Sequence, residues 1–421
     1  MKLIINKRKM IAIMVLIPML VVYNSFFNLG NYRHLYIDIV FFCCCISILF
    51  QNKKVRIYFV GLINLMVPLA IVTVLSVITA IKVYHTTIQA DYTQSILRFF
   101  YLFEAYTIAY CYYKKFGKES VRLFIIAGLI SYCTVIFKFF YYGRFQVFSG
   151  FFNANYNGIT LEVHNLTYIL GMFFLYYLLS DDYTAKFKKK ILIVLIIGIF
   201  LGDKRAIYVA LIISLFVYWV FNKLDKKNAF LLKIITIIYI VTSVFYLYII
   251  KNGILESFLF AHDIDSSSRI TFWNYFKTSY ALSPLFFGRG IAYTSNVMAT
   301  RLFQISADIW SVTELHNDIL RSYIGWGCLP FLFYFFNFIY LQPNRILIRK
   351  GKFKAWKYFA IVSYIFFVLY FDNMLLEIDF NIAFFILWFI FYDNYNYDNN
   401  VKGIKYSFIN IKKNKDIDII N

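Results

Sequence analysis

Charged residues are scarce in this 421-residue chain, at 15% of the sequence, while 61% of its residues are hydrophobic and 22% aromatic. Because soluble domains carry about 25% charged residues, this composition excludes an ordinary water-soluble fold. A membrane-spanning helix needs about 20 mostly apolar residues, and the chain has room for many. The first apolar run, from Met10, lacks a small-residue cleavage site, so we interpret it as a retained span and not as a signal peptide.

Acidic residues are also few, since 22 Asp and Glu stand against 43 Lys and Arg and leave a net charge of +21. In a soluble protein this excess would suggest nucleic acid. Here most cations fall in segments that alternate along the chain, as expected of cytoplasmic loops. We therefore predict no nucleic-acid partner, and contact with the lipid bilayer and its anionic head groups accounts for the charge. The predicted cytoplasmic segments are Lys2–Lys9, Lys53–Arg56, Lys114–Arg122, Lys186–Lys190, Lys223–Lys233, Arg345–Lys357 and the tail from Lys402.

Common enzyme motifs are missing. The chain has no HExxH, no P-loop, no GxSxG and no dinucleotide-binding glycine pattern. Its six cysteines lie in apolar runs without the spacing of metal ligands. Asp263 and Asp265 have the spacing that some glycosyltransferases use to hold a metal, but the same spacing recurs at Glu377–Asp379 and Asp416–Asp418. We predict neither a metal ion nor a cofactor.

The charged segments divide the apolar sequence into about twelve spans with both termini in the cytoplasm. This pattern predicts an all-α polytopic membrane protein with one membrane domain, residues 1–392, and a cytoplasmic tail, residues 393–421. One large extracytoplasmic loop, residues 252–313, is neither apolar throughout nor densely charged. We expect Leu315–Leu341 to form the tenth span. Ile191–Gly202 is short for a full crossing and is followed by charges, so a polar cavity should reach in to meet it.

Cations on the predicted outer side need a reason, because loops there are normally poor in Lys and Arg. Anion binding is one reason, since the guanidinium fork matches phosphate geometry. We favour it for Arg205, at the start of a helix, and for Arg269, which follows three serines and precedes a helix-like segment. For Arg289, between two glycines, the functional and structural interpretations both stay open, and Arg144 is a further candidate. We interpret Arg33, Lys82, Lys251 and Arg301 as solvated surface charges.

His316 is the candidate general base. It is the only histidine whose neighbours Glu314, Asn317 and Asp318 are all polar, and imidazole is the side chain that titrates nearest neutral pH. A histidine near a helix end is also often a structural hydrogen-bonding group, so both roles are open. Arg321, three residues after Asp318, should pair with that carboxylate along one helix face.

These residues resemble a family signature. His316–Asn317–x–x–Leu320, followed by Gly327, resembles the pattern of the Wzy-type polysaccharide polymerase and O-antigen ligase superfamily. Further stretches resemble the family's motifs in the family's order, namely Gly150–Asn155, Gly202–Ala206, Arg269–x3–Trp273 and Pro284–Gly290. The sequence departs from the pattern at Ala154, where the family usually has proline, and at Asp203–Lys204, where it usually has small residues.

The resemblance implies a GT-C-like fold and an inverting, metal-independent transfer of a glycan chain from undecaprenyl pyrophosphate, in O-antigen, capsule or related polysaccharide biosynthesis. The site would face outward from the bacterial cytoplasmic membrane, with a flippase and a chain-length regulator as candidate partners. The catalytic residues would be His316 as base, with Arg269 and Arg205 holding the leaving pyrophosphate. The candidate substrate-binding residues are Arg289, Asn317, Arg144 and Trp273.

Two alternative functions stay open. A ligase would perform the same chemistry on another acceptor, and the acceptor pocket has no readable sequence code. A flippase for lipid-linked oligosaccharides would also have about twelve spans, but charges would line a central path and the two halves would repeat. The single long outer segment and the lack of a repeat argue against the flippase.

Overall fold

The computed structural model describes residues 6–21, 26–27, 29–30, 32–50, 55–84, 89–141, 164–202, 204–224, 230–262, 269–301 and 315–393. These residues are almost entirely helical and include no β-strand, which confirms the predicted all-α class. The helices are α1 Lys7–Leu20, α2 Tyr32–Leu49, α3 Arg56–Gly61, α4 Val67–Tyr84, α5 Gln89–Phe116, α6 Glu119–Tyr141, α7 His164–Leu179, α8 Ala185–Leu201, α9 Arg205–Leu224, α10 Phe230–Lys251, α11 Ile254–Ala261, α12 Arg269–Tyr275, α13 Tyr293–Arg301, α14 Asp318–Trp326, α15 Cys328–Phe336, α16 Gln342–Lys350, α17 Lys352–Val368 and α18 Ile378–Tyr392.

Five helical segments in the described part of the chain are long and apolar enough to cross a membrane: Tyr32–Leu49, Arg56–Thr79, Glu119–Lys138, Arg205–Leu224 and Phe230–Lys251. Two shorter apolar helices are α7 and α18. Length and composition therefore support a membrane-spanning chain. The total of about twelve spans, their sidedness and the GT-C-like fold stay predictions.

The centre of the bundle is formed by α17 and α18. Every residue of α18 is buried, as are most residues of α17. A helix that is apolar on all sides belongs in the interior, and α18 packs along α5 while α17 packs along α9. The turn between these two central helices, Leu369–Glu377, is thereby held at one end of the bundle core.

Two π-helical segments, Leu62–Met66 and Asn337–Leu341, are joined inside the bundle by a polar network. The Asn64 carbonyl accepts hydrogen bonds from Asn337 Nδ2 at 3.3 Å and from Gln342 Nε2 at 2.6 Å. Trp388 Nε1 in turn donates to Gln342 Oε1 at 3.0 Å. A π-turn disturbs the regular backbone ladder, and a carbonyl left over in an apolar interior is costly without a partner, so these side chains make the irregular turns tolerable.

The predicted tenth span is not one helix. It breaks at Gly327 into α14 and α15, and this glycine has φ 82° and ψ 177°, a region that only glycine adopts readily. The loop Pro284–Gly290 lies against the break: Arg289 N and Gly290 N donate to the carbonyls of Ile324 and Gly325, at 2.7 and 2.9 Å. The loop therefore satisfies carbonyls at the end of α14 that would otherwise lack partners.

Gly288 and Gly327 meet backbone to backbone. A Cβ on Gly327 would lie 2.5 Å from the Gly288 nitrogen, closer than real atoms approach. A Cβ on Gly288 would lie 2.5 Å from the Trp326 carbonyl carbon. Two of the glycines in the family-like motifs are therefore explained by close packing of the loop on the helix break.

The helix that contains most of the predicted short span Ile191–Gly202 begins earlier, at Ala185, because lysines are good helix formers and extend it toward its N-terminus. Two other predictions need correction. Arg33 is not a solvated charge, since its guanidinium lies 3.2 Å from Asp379 Oδ2. Lys251 donates to two backbone carbonyls, at 2.6 and 2.9 Å. The side chains of Lys82 and Arg301 lie outside the described part of the structure.

Alanine at Gly327 should destabilise the protein more than alanine at Gly351. The two glycines share the same backbone region, at φ 82° and 80°, so each substitution costs about 1–3 kcal/mol in backbone strain. A Cβ on Gly351 meets nothing within 4 Å, whereas one on Gly327 displaces the loop backbone. We expect Gly327→Ala to have the lower thermal midpoint in lipid nanodiscs. Equal midpoints would contradict the packing argument.

Candidate active site

His316 is held in a strained backbone conformation. With φ 48° it is the one non-glycine residue with positive φ in the described part of the chain, a conformation that costs about 1–3 kcal/mol and often marks a functional site. Its two neighbours fix it. Trp273 Nε1 donates to the Leu315 carbonyl at 3.1 Å, and Asn317 accepts a hydrogen bond from Leu320 N at 3.0 Å as the N-cap of α14.

Asn317 and Trp273 both contact the side chain of Tyr246. Asn317 is fully buried, and its Nδ2 donates to the Tyr246 hydroxyl at 2.9 Å. The Tyr246 ring meets Trp273 edge-on at 6.3 Å between ring centres. Asn317 and Trp273, two of the four predicted substrate-binding residues, therefore make contacts that position His316.

The partner of His316 is Asp372, in the turn between α17 and α18. His316 Nδ1 lies 2.9 Å from Asp372 Oδ1, and the carboxylate is almost fully buried. Tyr168 on α7 donates its hydroxyl to the other carboxylate oxygen at 3.0 Å. A carboxylate that accepts a hydrogen bond from Nδ1–H fixes the ring orientation and leaves the lone pair on Nε2. This is the arrangement of an oriented general base.

Lys204 is the second charge at Asp372. Its Nζ lies 3.7 Å from Asp372 Oδ2, and the side chain is 9% exposed. Burial lowers the pKa of Lys204 to about 8, the Asp372 carboxylate opposes this shift, and the positive charge of Arg269 adds to it. Lys204 therefore keeps its charge at neutral pH and starts to lose it only in mildly alkaline solution.

Arg269 belongs to the same cluster. It is half-buried at the first residue of α12, and its charge acts on Tyr168, Lys204 and Tyr246. An imidazole, a carboxylate and two cations from four separated segments thus converge at one end of the core. The region can accept a proton and can also stabilise an anion.

Arg205 occupies a different position from Lys204, although the two are adjacent in sequence. It starts α9 as predicted, but its side chain is exposed, while Lys204 is the buried cation that contacts Asp372. The polar cavity predicted beside the short span stays a prediction, and the buried pair Lys204–Asp372 is the charge contact found there. A role for Arg205 in pyrophosphate binding stays a prediction.

Arg289 makes contacts that stabilise its own turn. Its Nε donates to the Ser279 carbonyl at 2.6 Å, and its guanidinium lies 5.5 Å from the centre of the Tyr293 ring. These contacts favour the structural interpretation that the sequence left open. The loop residue Arg144, the segment Gly150–Asn155, Asp203 and Asp263–Ser268 lie outside the described residues.

Asp318 and Arg321 form the ion pair expected from their spacing. Asp318 is fully buried, and its Oδ2 also accepts the backbone N–H of Leu375 at 2.6 Å. This pair joins α14 to the Asp372 turn. It is therefore a structural contact below His316, which confirms the interpretation of both residues as partners of each other.

Sequence reasoning missed Asp372, Lys204 and Tyr168. Asp372 belongs to none of the motifs found in the sequence, and Lys204 stood out only as a departure from a family pattern. A polar residue at a predicted membrane surface on each of several segments is the one signal that could have suggested pairing. The described residues contain no cluster of three or more His, Cys, Asp or Glu side chains suited to a metal ion.

The chain matches no protein-family model, no curated protein and no solved structure. Its assignment to a function therefore rests on the motif residues and on the geometry around His316.

Replacing Lys204 by methionine should destabilise the protein by about 3–5 kcal/mol, because it leaves Asp372 buried with one cation fewer. Adding Asp372→Asn should restore part of the loss, with a coupling of about 0.5–3 kcal/mol between the two sites. Chemical unfolding in detergent micelles measures both.

The exposed pair Lys118–Asp182, at 2.7 Å with both side chains about half exposed, is the matched control. Lys118→Met should cost at most about 1 kcal/mol. If Lys204→Met costs no more than this control, the proposed charge pair at Asp372 is unimportant for stability.

Proposed function

We propose that the protein is a membrane glycosyltransferase that moves a glycan chain from an undecaprenyl-pyrophosphate carrier onto a second lipid-linked repeat unit. The observation that carries the proposal is the contact of His316 Nδ1 with the buried Asp372 carboxylate at 2.9 Å, beside the cations Lys204 and Arg269. It is supported by the family-like motifs, whose described residues His316, Asn317, Trp273 and Arg269 lie in one region.

The proton transfer is assigned to His316. The acceptor sugar hydroxyl must lose its proton as it attacks the anomeric carbon, and an imidazole can accept it as general base. Asp372 fixes the ring through Nδ1, and its negative charge stabilises the imidazolium that forms. At 22% exposure the His316 side chain is still accessible, as a group that meets substrate must be.

The leaving pyrophosphate is assigned to the cations. Negative charge grows on it as the glycosidic bond breaks, and fixed positive groups at that point lower the barrier. Arg269 offers a bidentate fork for phosphate oxygens. Lys204 adds a compact ammonium, and Arg205 extends the positive surface toward solvent. The family resemblance adds Arg144 as a candidate substrate-binding residue, whereas the contacts of Arg289 favour a structural role in its own turn. Inversion and independence from metal are what the family resemblance implies.

Acceptor and partners follow from the same proposal. A polymerase adds the chain to another carrier-linked unit, with a flippase supplying substrate and a chain-length regulator acting on product, at the outer side of the bacterial cytoplasmic membrane. A ligase differs only in the acceptor. In a deletion strain, accumulation of single lipid-linked repeat units supports the polymerase, while long polymer retained on the carrier supports the ligase.

His316→Ala and Arg269→Ala should each reduce polymer formation by about 10²–10³-fold, as expected for the loss of a general base or of a transition-state cation. Polymer is measured by gel electrophoresis after complementing a deletion strain, with membrane insertion checked by immunoblotting. His262→Ala is the control, because His262 is an exposed histidine outside the cluster. Wild-type polymer from the inserted His316→Ala protein would rule out the base.

The rate of transfer should fall as pH rises through about 8. Lys204 is protonated below its pKa of about 8 and loses its charge above it, so stabilisation of the leaving pyrophosphate weakens in alkaline solution. Lys204→Arg keeps a positive charge at all these pH values and should move the alkaline decline upward. The pH profile of kcat/KM in proteoliposomes tests this; the same decline in both proteins would contradict it.

A further inference from the structure

The short helix α11 exposes large apolar side chains on the sides that do not pack against the core. None of its residues is buried, and Ile254, Phe258 and Phe260 are 48, 53 and 74% exposed. Leu255 and Leu259 pack against the hydrophobic core instead. Large apolar side chains grouped on an exposed surface mark a contact with lipid or with another protein.

The helix that precedes α11, α10, also exposes apolar side chains near its end. That helix is long and apolar enough to cross a membrane, and its last turns expose Val241, Phe245 and Tyr248 at 59, 58 and 47%. Only Asn252 and Gly253 separate the two helices, a reach of about 7 Å. Gly253, with φ 72°, provides the left-handed turn that changes the chain direction at the end of the span.

The end of α10 and the first turn of α11 contact the segment that follows α12. Lys251 Nζ, at the end of α10, donates to the carbonyls of Lys277 and Tyr280, and Glu256 Oε2 of α11 lies 3.3 Å from Lys277 Nζ. Lys277 lies in the 3₁₀ turn Phe276–Ser279, which directly continues α12. These contacts couple the position of α11 to that of α12, which carries Arg269 and Trp273.

We propose that α11 is an interfacial helix whose exposed face docks on the lipid bilayer at the Lys251 end of α10. The occupant is lipid and not a second protein, because these exposed side chains begin only two residues beyond a helix that is long and apolar enough to cross a membrane. Its apolar side chains enter the boundary between head groups and acyl chains, as amphipathic surface helices do. Docking places Arg269 at the level of the phosphate head groups; this last step rests on the proposed function.

Photo-crosslinking tests the docking. We would place p-benzoylphenylalanine at Phe258 or Phe260 of the full chain in nanodiscs of phosphatidylethanolamine and phosphatidylglycerol, and identify adducts by mass spectrometry. Phe245 in α10 is the lipid-facing reference. Thr278, which is exposed in the 3₁₀ turn Phe276–Ser279, is the control. We expect lipid adducts at Phe258 and Phe260 that are close in yield to Phe245 and about tenfold above Thr278. Adducts with protein alone, or yields equal to Thr278, would overturn the proposal.

A second experiment tests whether docking of α11 positions Arg269 at the level of the phosphate head groups. The double substitution Phe258→Ser with Phe260→Ser should raise KM for a carrier-linked donor about tenfold, with little change for a short-chain, water-soluble donor analogue. The control is Ile348→Ser with Phe353→Ser, an equally exposed apolar pair at 79 and 62% at the other end of the helices. An unchanged KM would contradict the positioning of Arg269 by α11. A wild-type protein without transfer activity would contradict both the proposed function and this positioning. The lipid adducts would still decide whether α11 docks on lipid.

Discussion

The buried carboxylate of Asp372 is the constraint on which the site depends. Removing a carboxylate from water costs several kcal/mol unless cations and hydrogen-bond donors replace the water. Asp372 meets this requirement with His316, Tyr168 and Lys204. These partners come from the start of α14, from α7 and from the connection between α8 and α9. One charge therefore holds three distant segments against the turn between the two central helices, and the orientation of the imidazole follows from it.

A second constraint is the close approach of two backbones. The loop Pro284–Gly290 can hydrogen-bond the end of α14 only because Gly288 and Gly327 have no side chains between them. The break at Gly327 also ends α14 after nine residues, so that His316 and the Asp318–Arg321 pair stay near the Asp372 turn. Motif glycines and Arg289 thus stabilise the framework, whereas His316 and Arg269 stay partly exposed and are the proposed contacts to substrate.

Because the surroundings are apolar, irregular backbone and charged groups occur only where the protein itself provides polar partners. Without water, a freed carbonyl or a lone charge must find a partner inside the protein. At the π-turn of Leu62–Met66, the Asn64 carbonyl accepts hydrogen bonds from Asn337 and Gln342, and Trp388 donates to Gln342. At the site, opposite charges are the partners of one another. The proposed transfer needs both a base for the sugar hydroxyl and cations for the leaving pyrophosphate, and this cluster contains both kinds of group.

The sequence alone determined the helical class and most helix positions, because hydrophobic runs and charge clusters are local properties of the chain. Motif spacing singled out His316, Arg269, Asn317 and Trp273 as candidate site residues. It did not reveal Asp372 as the partner of His316, or Lys204 as the buried cation next to the exposed Arg205. It also suggested solvated charges at Arg33 and Lys251, which in fact bind distant groups. Which of two adjacent side chains is buried, and which carboxylate it meets, depends on how helices pack across hundreds of residues, and only the tertiary structure decides that.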